Sequence, residues 1–272
     1  MDTANHKRDF VTVQELSEGF SEFSLPQTPD FVGQKMELFY EDGQQVSYEF
    51  LDMETIKFTY CDNVHSAIYH AVSPREGIYF IDFIYSYGET KSITTVVDVN
   101  KKIATTAIGT MPTQGEVAVS QFERGDKGLP LTSVKVEFKH AALNEPFSAA
   151  TPKHQPTADL VGERIQFVYS TNDVYEHIYL NENFYTWHCL KGIEKGLCDT
   201  DRCFYWKLAD QLYWFLWLER IVPTFGSVVE DLAKMRSYGK IYGYESYDMD
   251  KVKNFPAGSY AKVLNRTKYD FD

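Results

Sequence analysis

Two ten-residue stretches set 129 residues apart say nearly the same thing: "FVGQKMELFY" at 31–40 and "LVGERIQFVY" at 160–169. They agree position by position as apolar, Val, Gly, polar, basic, apolar, polar, apolar, apolar, Tyr. The register continues, with "YEF" at 48–50 matching "YEH" at 175–177 and "FTYC" at 58–61 matching "TWHC" at 186–189. Further on, "GIYFIDFIY" at 77–85 answers "QLYWFLWLE" at 211–219, and "VVDV" at 96–99 answers "VVED" at 228–231. The offset stays between 127 and 134 residues throughout. Chance similarity does not hold register that long, so the chain is one fold written twice.

Each copy has a period of two, which marks strands. Ile165, Phe167 and Tyr169 share one face, as do Tyr213, Phe215, Trp217 and Glu219. Turn signals such as "EDGQ", "STND", "NEN" and "LADQ" punctuate the strands, and only 10–20 and 227–236 read as helix. Many short antiparallel strands with little helix predict an all-β chain of two tandem calycin or lipocalin-like barrels, because closure removes sticky sheet edges. A barrel of about eight strands has room for one small ligand. The expected divisions are a lead-in at 1–30 that caps an open barrel end, a first barrel at 31–145, a linker at 146–158 and a second barrel at 159–272. Pro146, Pro152 and Pro156 deny the linker regular structure. Gly33 and Gly162 recur where the chain must bend on entering each barrel.

Composition narrows the function. Hydrophobic residues make up 43% and aromatic ones 15%, so there is material for large cores. The net charge of -12 argues against a nucleic-acid partner, which would call for clustered Lys and Arg. No apolar run nears the roughly 20 residues that span a bilayer, and "MDTANHKRDF" has no signal-peptide core. A cytoplasmic protein with a small-molecule ligand, no membrane and no nucleic acid is expected; a homo-oligomer is left open. Cys61, Cys189, Cys198 and Cys203 form no CxxC pair and read as free thiols. A zinc site on Cys198, Cys203 and His188 lacks the usual spacing, so no metal and no cofactor are expected. Phosphate-loop, GxSxG and HExxH motifs are absent from the sequence.

The candidate site lies in "YEHIYLNENFYTWHC", 175–189, which spends many costly side chains on one hairpin. Tyr175, His177 and Tyr179 share a face; Tyr185, Trp187 and His188 follow the turn. Glu219 closes a strand behind Tyr213, Phe215 and Trp217. If that face points inward, burial raises its pKa and suits it to acid/base work; otherwise it pairs with Arg220, Arg164 or Arg236 at the rim. In the first copy Tyr85 and Phe50 take the places of Glu219 and His177, and Asp82 faces the barrel's exterior or an interface.

The stretch "LVGERIQFVYSTNDVYEHIYLNENFYTWHC" through "LWLERIVPTFG" and "MRSYGKIYGYE" closely resembles the C-terminal domain of the molybdenum cofactor biosynthesis protein F (MoaF) family. "FVGQKMELFYEDGQQVSYEFL" with "EGIYFIDFIY" resembles its N-terminal domain more loosely. The resemblance implies tandem lipocalin-type barrels. A more distant likeness is to phenolic acid decarboxylases: "FVYSTND", "YEHIY", "TWHCLKG", "LWLERIVPTFG" and "YGKIYG" follow that family's order. That likeness implies Glu219 as the acid that protonates substrate carbon and Tyr169 as a pocket tyrosine. Phe167 replaces the family's other first-strand tyrosine, and His188 its carboxylate-binding Arg, so the fork that would hold a leaving carboxylate is missing.

The resulting expectation is a cofactor-independent enzyme of lyase, isomerase or cyclase type, acting on a small aromatic or conjugated metabolite, as in natural-product assembly. Glu219, His188, Tyr169 and His177 would be catalytic, the two histidines as proton shuttles. Phe167, Tyr175, Tyr179, Tyr185, Trp187, Tyr213, Phe215 and Trp217 would line the substrate. The alternative is a non-catalytic small-molecule binding protein accessory to molybdenum cofactor biosynthesis. A third reading makes the barrels an assembly surface.

Overall fold

A computed structural model describes residues 10–60, 63–87 and 89–268. Eight antiparallel strands form the first barrel: β1 Lys35–Tyr40, β2 Gln45–Phe50, β3 Thr55–Tyr60, β4 Asn63–Arg75, β5 Ile78–Tyr87, β6 Glu89–Asp98, β7 Ile103–Thr110 and β8 Lys135–Leu143. Each pairs with the next, and β1 closes on β8 with Phe39 opposite Ala142. After the short strand β9, Gln155–Pro156, the pattern repeats as β10 Glu163–Val168, β11 Val174–Tyr179, β12 Phe184–Lys191, β13 Cys198–Ala209, β14 Leu212–Glu219, β15 Thr224–Asp231, β16 Arg236–Tyr244 and β17 Val252–Arg266. Here β10 pairs with β17, and β12 with β13, which closes the second barrel.

The duplication is therefore structural, strand for strand. Gly33 and Gly162 enter β1 and β10 with φ of +74° and +89°, a conformation that glycine adopts without a Cβ penalty. Proline leaves the linker mostly irregular, although β9 pairs briefly with β13 at Trp206 and Lys207. The helical reading of 227–236 is corrected: Thr224–Asp231 is strand, paired along its length with β14, Phe215 opposite Val228. Two short helices, α2 Gln114–Ala118 and α3 Gln121–Asp126, fill the β7–β8 connection, each opened by a Thr or Ser cap.

Alternation sorts side chains into three cores. Inner faces fill each barrel, while outer faces of β5, β6 and β7 pack against those of β14, β15 and β16. Trp214, Leu216, Leu218 and Phe225 meet Val72, Phe80, Val96 and Ala107 across that contact. Within it Lys240 reaches from β16 to Asp82 on β5 at 3.2 Å, both side chains all but buried, and the same ammonium donates to Ser92. Asp82 is thus an interfacial carboxylate. Arg75 clamps Asp231 nearby at 2.7 Å.

The lead-in does cap a barrel, but the second one. Helix α1, Val13–Leu16, is opened by a reciprocal capping box in which Thr12 and Glu15 satisfy each other's backbone N–H. Val11, Val13, Leu16 and Phe20 all join the second barrel's inner core. Burying such side chains contributes about 1.5–3 kcal/mol each at most. The segment is also tied by backbone, since Gly258 N–H donates to Phe20 O at 3.0 Å and Arg236 to Phe23 O at 2.7 Å.

Candidate functional site

The inward faces of β10, β11, β12 and β14 converge under the cap. Tyr169, Tyr175, His177, Tyr185, Trp187, Trp217 and Glu219 line a pocket there, roofed by Leu16, Phe20 and Glu194. Phe20 lies with its ring centre 4.3 Å from Tyr169 and 5.3 Å from Tyr175. The free volume is ≈ 30 Å³, room for about two waters. Phe167, Tyr179, Tyr213 and Phe215 share the inner face but lie below the pocket as packed layer; Phe215 stacks on Trp217 at 5.4 Å.

Glu219 points inward, as strand parity requires, and accepts a hydrogen bond from Trp217 Nε1 at 2.8 Å. The indole is seated by Gly226 on β15, where any Cβ would come within 2.0 Å of the ring. None of the three arginines takes Glu219 as an ion pair: Arg220 binds Asp199, Arg164 binds Glu176, and Arg236 binds backbone carbonyls. Burial raises the Glu219 pKa well above the carboxylate range, and the charge of Asp201 raises it further.

Asp201, not singled out from the sequence, faces inward on β13 beside it. It accepts from Trp187 Nε1 at 3.1 Å and from the backbone of Arg220 at 3.1 Å. Burial and then Asp199 lift its pKa to about 7. Two indole-anchored carboxyls in one low-dielectric hollow cannot both ionise cheaply, so near neutrality they retain a proton between them. Glu194 in the β12–β13 loop adds a third carboxyl, holding the cap at Val11 N–H and receiving the Tyr175 hydroxyl at 3.1 Å; burial raises its pKa too. Deeper in, Glu230 takes the Tyr179 hydroxyl at 2.5 Å and is pushed up to about 8 by burial. Period two could have found Asp201, which alternates with Cys203 and Tyr205, and Glu230, which alternates with Val228.

His177 lines the pocket, enclosed by Phe167, Tyr185, Phe215 and Trp217, and burial drives its pKa down to about 3, which favours the neutral ring. His188 is corrected: it faces outward, opposite Glu176, and its Nδ1 lies 2.9 Å from that carboxylate. Arg164 grips the same Glu176 at 2.7 Å through two nitrogens, making an outer-wall cluster. The zinc grouping fails as well: His188 and Cys198 are cross-strand neighbours outside, whereas Cys203 is buried inside with its thiol donating to Tyr205. Cys61 and residues 1–9 lie outside the described residues.

The family model for the MoaF N-terminal domain matches residues 8–113, and that for the MoaF C-terminal domain matches 154–267. Protein MoaF of Klebsiella aerogenes is 38% identical over 96% of this chain and 97% of its own length. The chain belongs to the MoaF family. The N-terminal family match begins at residue 8 and so includes the cap, although the cap sits on the other barrel of this MoaF-family chain. Among solved structures, a chain assigned as a β-lactamase from Burkholderia vietnamiensis aligns with 39% of this chain and 96% of its own at a TM-score of 0.33 and 11% identity, a likeness that carries no weight. No helix among the described residues is long and apolar enough to cross a membrane.

Proposed function

We propose that the second barrel is a cofactor-independent acid/base enzyme, of lyase, isomerase or cyclase type, for a small aromatic or conjugated metabolite. The observation that carries this is Glu219: an inward carboxyl beside Asp201, with its pKa raised, walled by tyrosines and indoles. A carboxyl protonated near neutral pH can deliver its proton to substrate carbon or oxygen and recover it from Asp201 or water. Tyr169, Tyr175 and Tyr185 orient the ligand by hydroxyl and ring contacts. The pocket is lined by carboxyls and by no Lys or Arg among the described residues, which favours a neutral or cationic ligand over a phosphorylated one. Entry requires the Phe20 cap to lift.

A second reading is favoured by the family: a binding protein that carries a metabolite in molybdenum cofactor biosynthesis. One experiment separates the two. Wild-type protein and Glu219→Gln are incubated with a small-molecule extract of cells lacking the protein, and mass spectrometry follows what is consumed. The enzyme reading expects a compound that disappears with wild type, with a new mass appearing, and persists with the Gln variant. A compound that co-purifies unchanged with both proteins, with nothing consumed, establishes the carrier instead.

A further inference from the structure

The first barrel has a pocket at the same end, with reversed chemistry. Tyr85 stands where the second barrel has Glu219, and two lysines turn inward: Lys91 on β6 alternates with the inner-core residue Ile93, and Lys139 on β8 with Ala141. Together with Val46, Phe58, Phe83 and Ile108 they line a cavity whose free volume is ≈ 40 Å³. The hydroxyls at its base are mutually satisfied, with Tyr40 to Thr106 at 2.8 Å, Thr106 to Thr95 at 2.9 Å and Thr95 to Tyr48 at 3.2 Å. No residue of the cap joins this barrel's core. Tyr60 and Tyr85, ring centres 5.0 Å apart, are the side chains that an entering ring must part.

In a protein of net charge -12, two lysines on the inner face of an apolar barrel mouth run against the general charge balance. Their present partners hold them weakly. Lys91 meets Glu89 at 3.1 Å, and Lys139 meets Asp42 at 2.7 Å, Gln44 at 2.8 Å and Glu137 at 4.0 Å. The side chains of Glu89, Asp42 and Glu137 are 75%, 50% and 65% exposed, so these pairs are screened by water, whereas the lysines themselves are 25% and 20% exposed. A carboxylate delivered on an apolar body would exchange these water-screened partners for a charge at the less hydrated side of the mouth.

We propose that the first barrel binds a small amphipathic carboxylate, its aryl body packed in the mouth beside Phe58 and Phe83 and its carboxylate at the rim with Lys91 and Lys139. The assignment is independent of any chemistry at Glu219. Calorimetric titration of the full chain with 3-phenylpropanoate tests it, with 3-phenylpropan-1-ol as the neutral twin. The carboxylate is expected to bind about tenfold tighter than the alcohol, the range of a hydrogen bond to a charged group. Lys91→Gln and Lys139→Gln should each remove part of that factor, and the double variant all of it, for the carboxylate alone. Equal binding of acid and alcohol, no binding heat with the acid, or wild-type affinity in the double lysine variant would each overturn the proposal.

Discussion

Glu230 has no exposed surface; Tyr179 satisfies one carboxyl oxygen, and the other has no partner among the described residues. Burial alone raises its pKa from 4.5 to about 8. Below pH 4.5 folded and unfolded chains hold this proton equally. As pH rises towards 8 the unfolded chain loses it and the folded one does not, so stability falls by up to about 1.4 kcal/mol per pH unit. Glu230→Gln stays neutral, and urea unfolding at pH 5 to 8 should show it matching wild type at the acid end and ahead by about 2–4 kcal/mol at the alkaline end. Parallel curves would remove Glu230 as the cause. A second expectation concerns the seat of Trp217: Gly226→Ala forces a Cβ into the indole, should cost about 1–3 kcal/mol, and should shift tryptophan emission as the ring leaves Glu219. At this scale parity made much legible, because one side of β14 had to carry Tyr213, Phe215, Trp217 and Glu219 together. It also forbade what was expected of His188. Neighbours in a strand face opposite ways, so Trp187 and His188 could not both look into the pocket, and resemblance to an Arg position could not override the pleat.

Among elements, the strands were readable and the cap's destination was not. Alternation and turn residues are local signals, and pairing with β14 overrides a local error such as a helix at 227–236. Where residues 10–20 dock is decided by surfaces over 140 residues away in the chain, on β10, β11, β16 and β17, and no spacing encodes that. The missing β7–β8 helices are short, capped insertions that the repeat does not share. The cap itself predicts a measurable state. Phe20→Ala removes a ring buried against Tyr169, Tyr175 and Phe255, should cost about 3 kcal/mol by thermal unfolding, and should leave Trp187 and Trp217 open to acrylamide quenching that wild type resists. Quenching unchanged from wild type would mean that Phe20 is not the pocket's roof.

Across the molecule, the two barrels are joined by an apolar contact that carries charged pairs, Asp82–Lys240 within it and Arg75–Asp231 beside it. Asp82 and Lys240 are nearly dry, and Asp82 also takes hydrogen bonds from Thr94 and Asn254. Removing one charge strands the other, so Asp82→Leu or Lys240→Met alone should each cost about 3–5 kcal/mol. Asp82→Leu combined with Lys240→Met should be less destabilised than either single change, measured by urea denaturation; additive losses would show that the pair is not coupled. The docking of the cap has a temporal consequence. Synthesis makes residues 10–20 early, yet their seat on β16 and β17 exists only after more than 230 further residues have been joined. The first barrel can close while that segment waits in water with Val11, Val13, Leu16 and Phe20 uncovered. The roof of the hollow around Glu219 is therefore made before its walls, and it is held ready until β16 and β17 give it a seat.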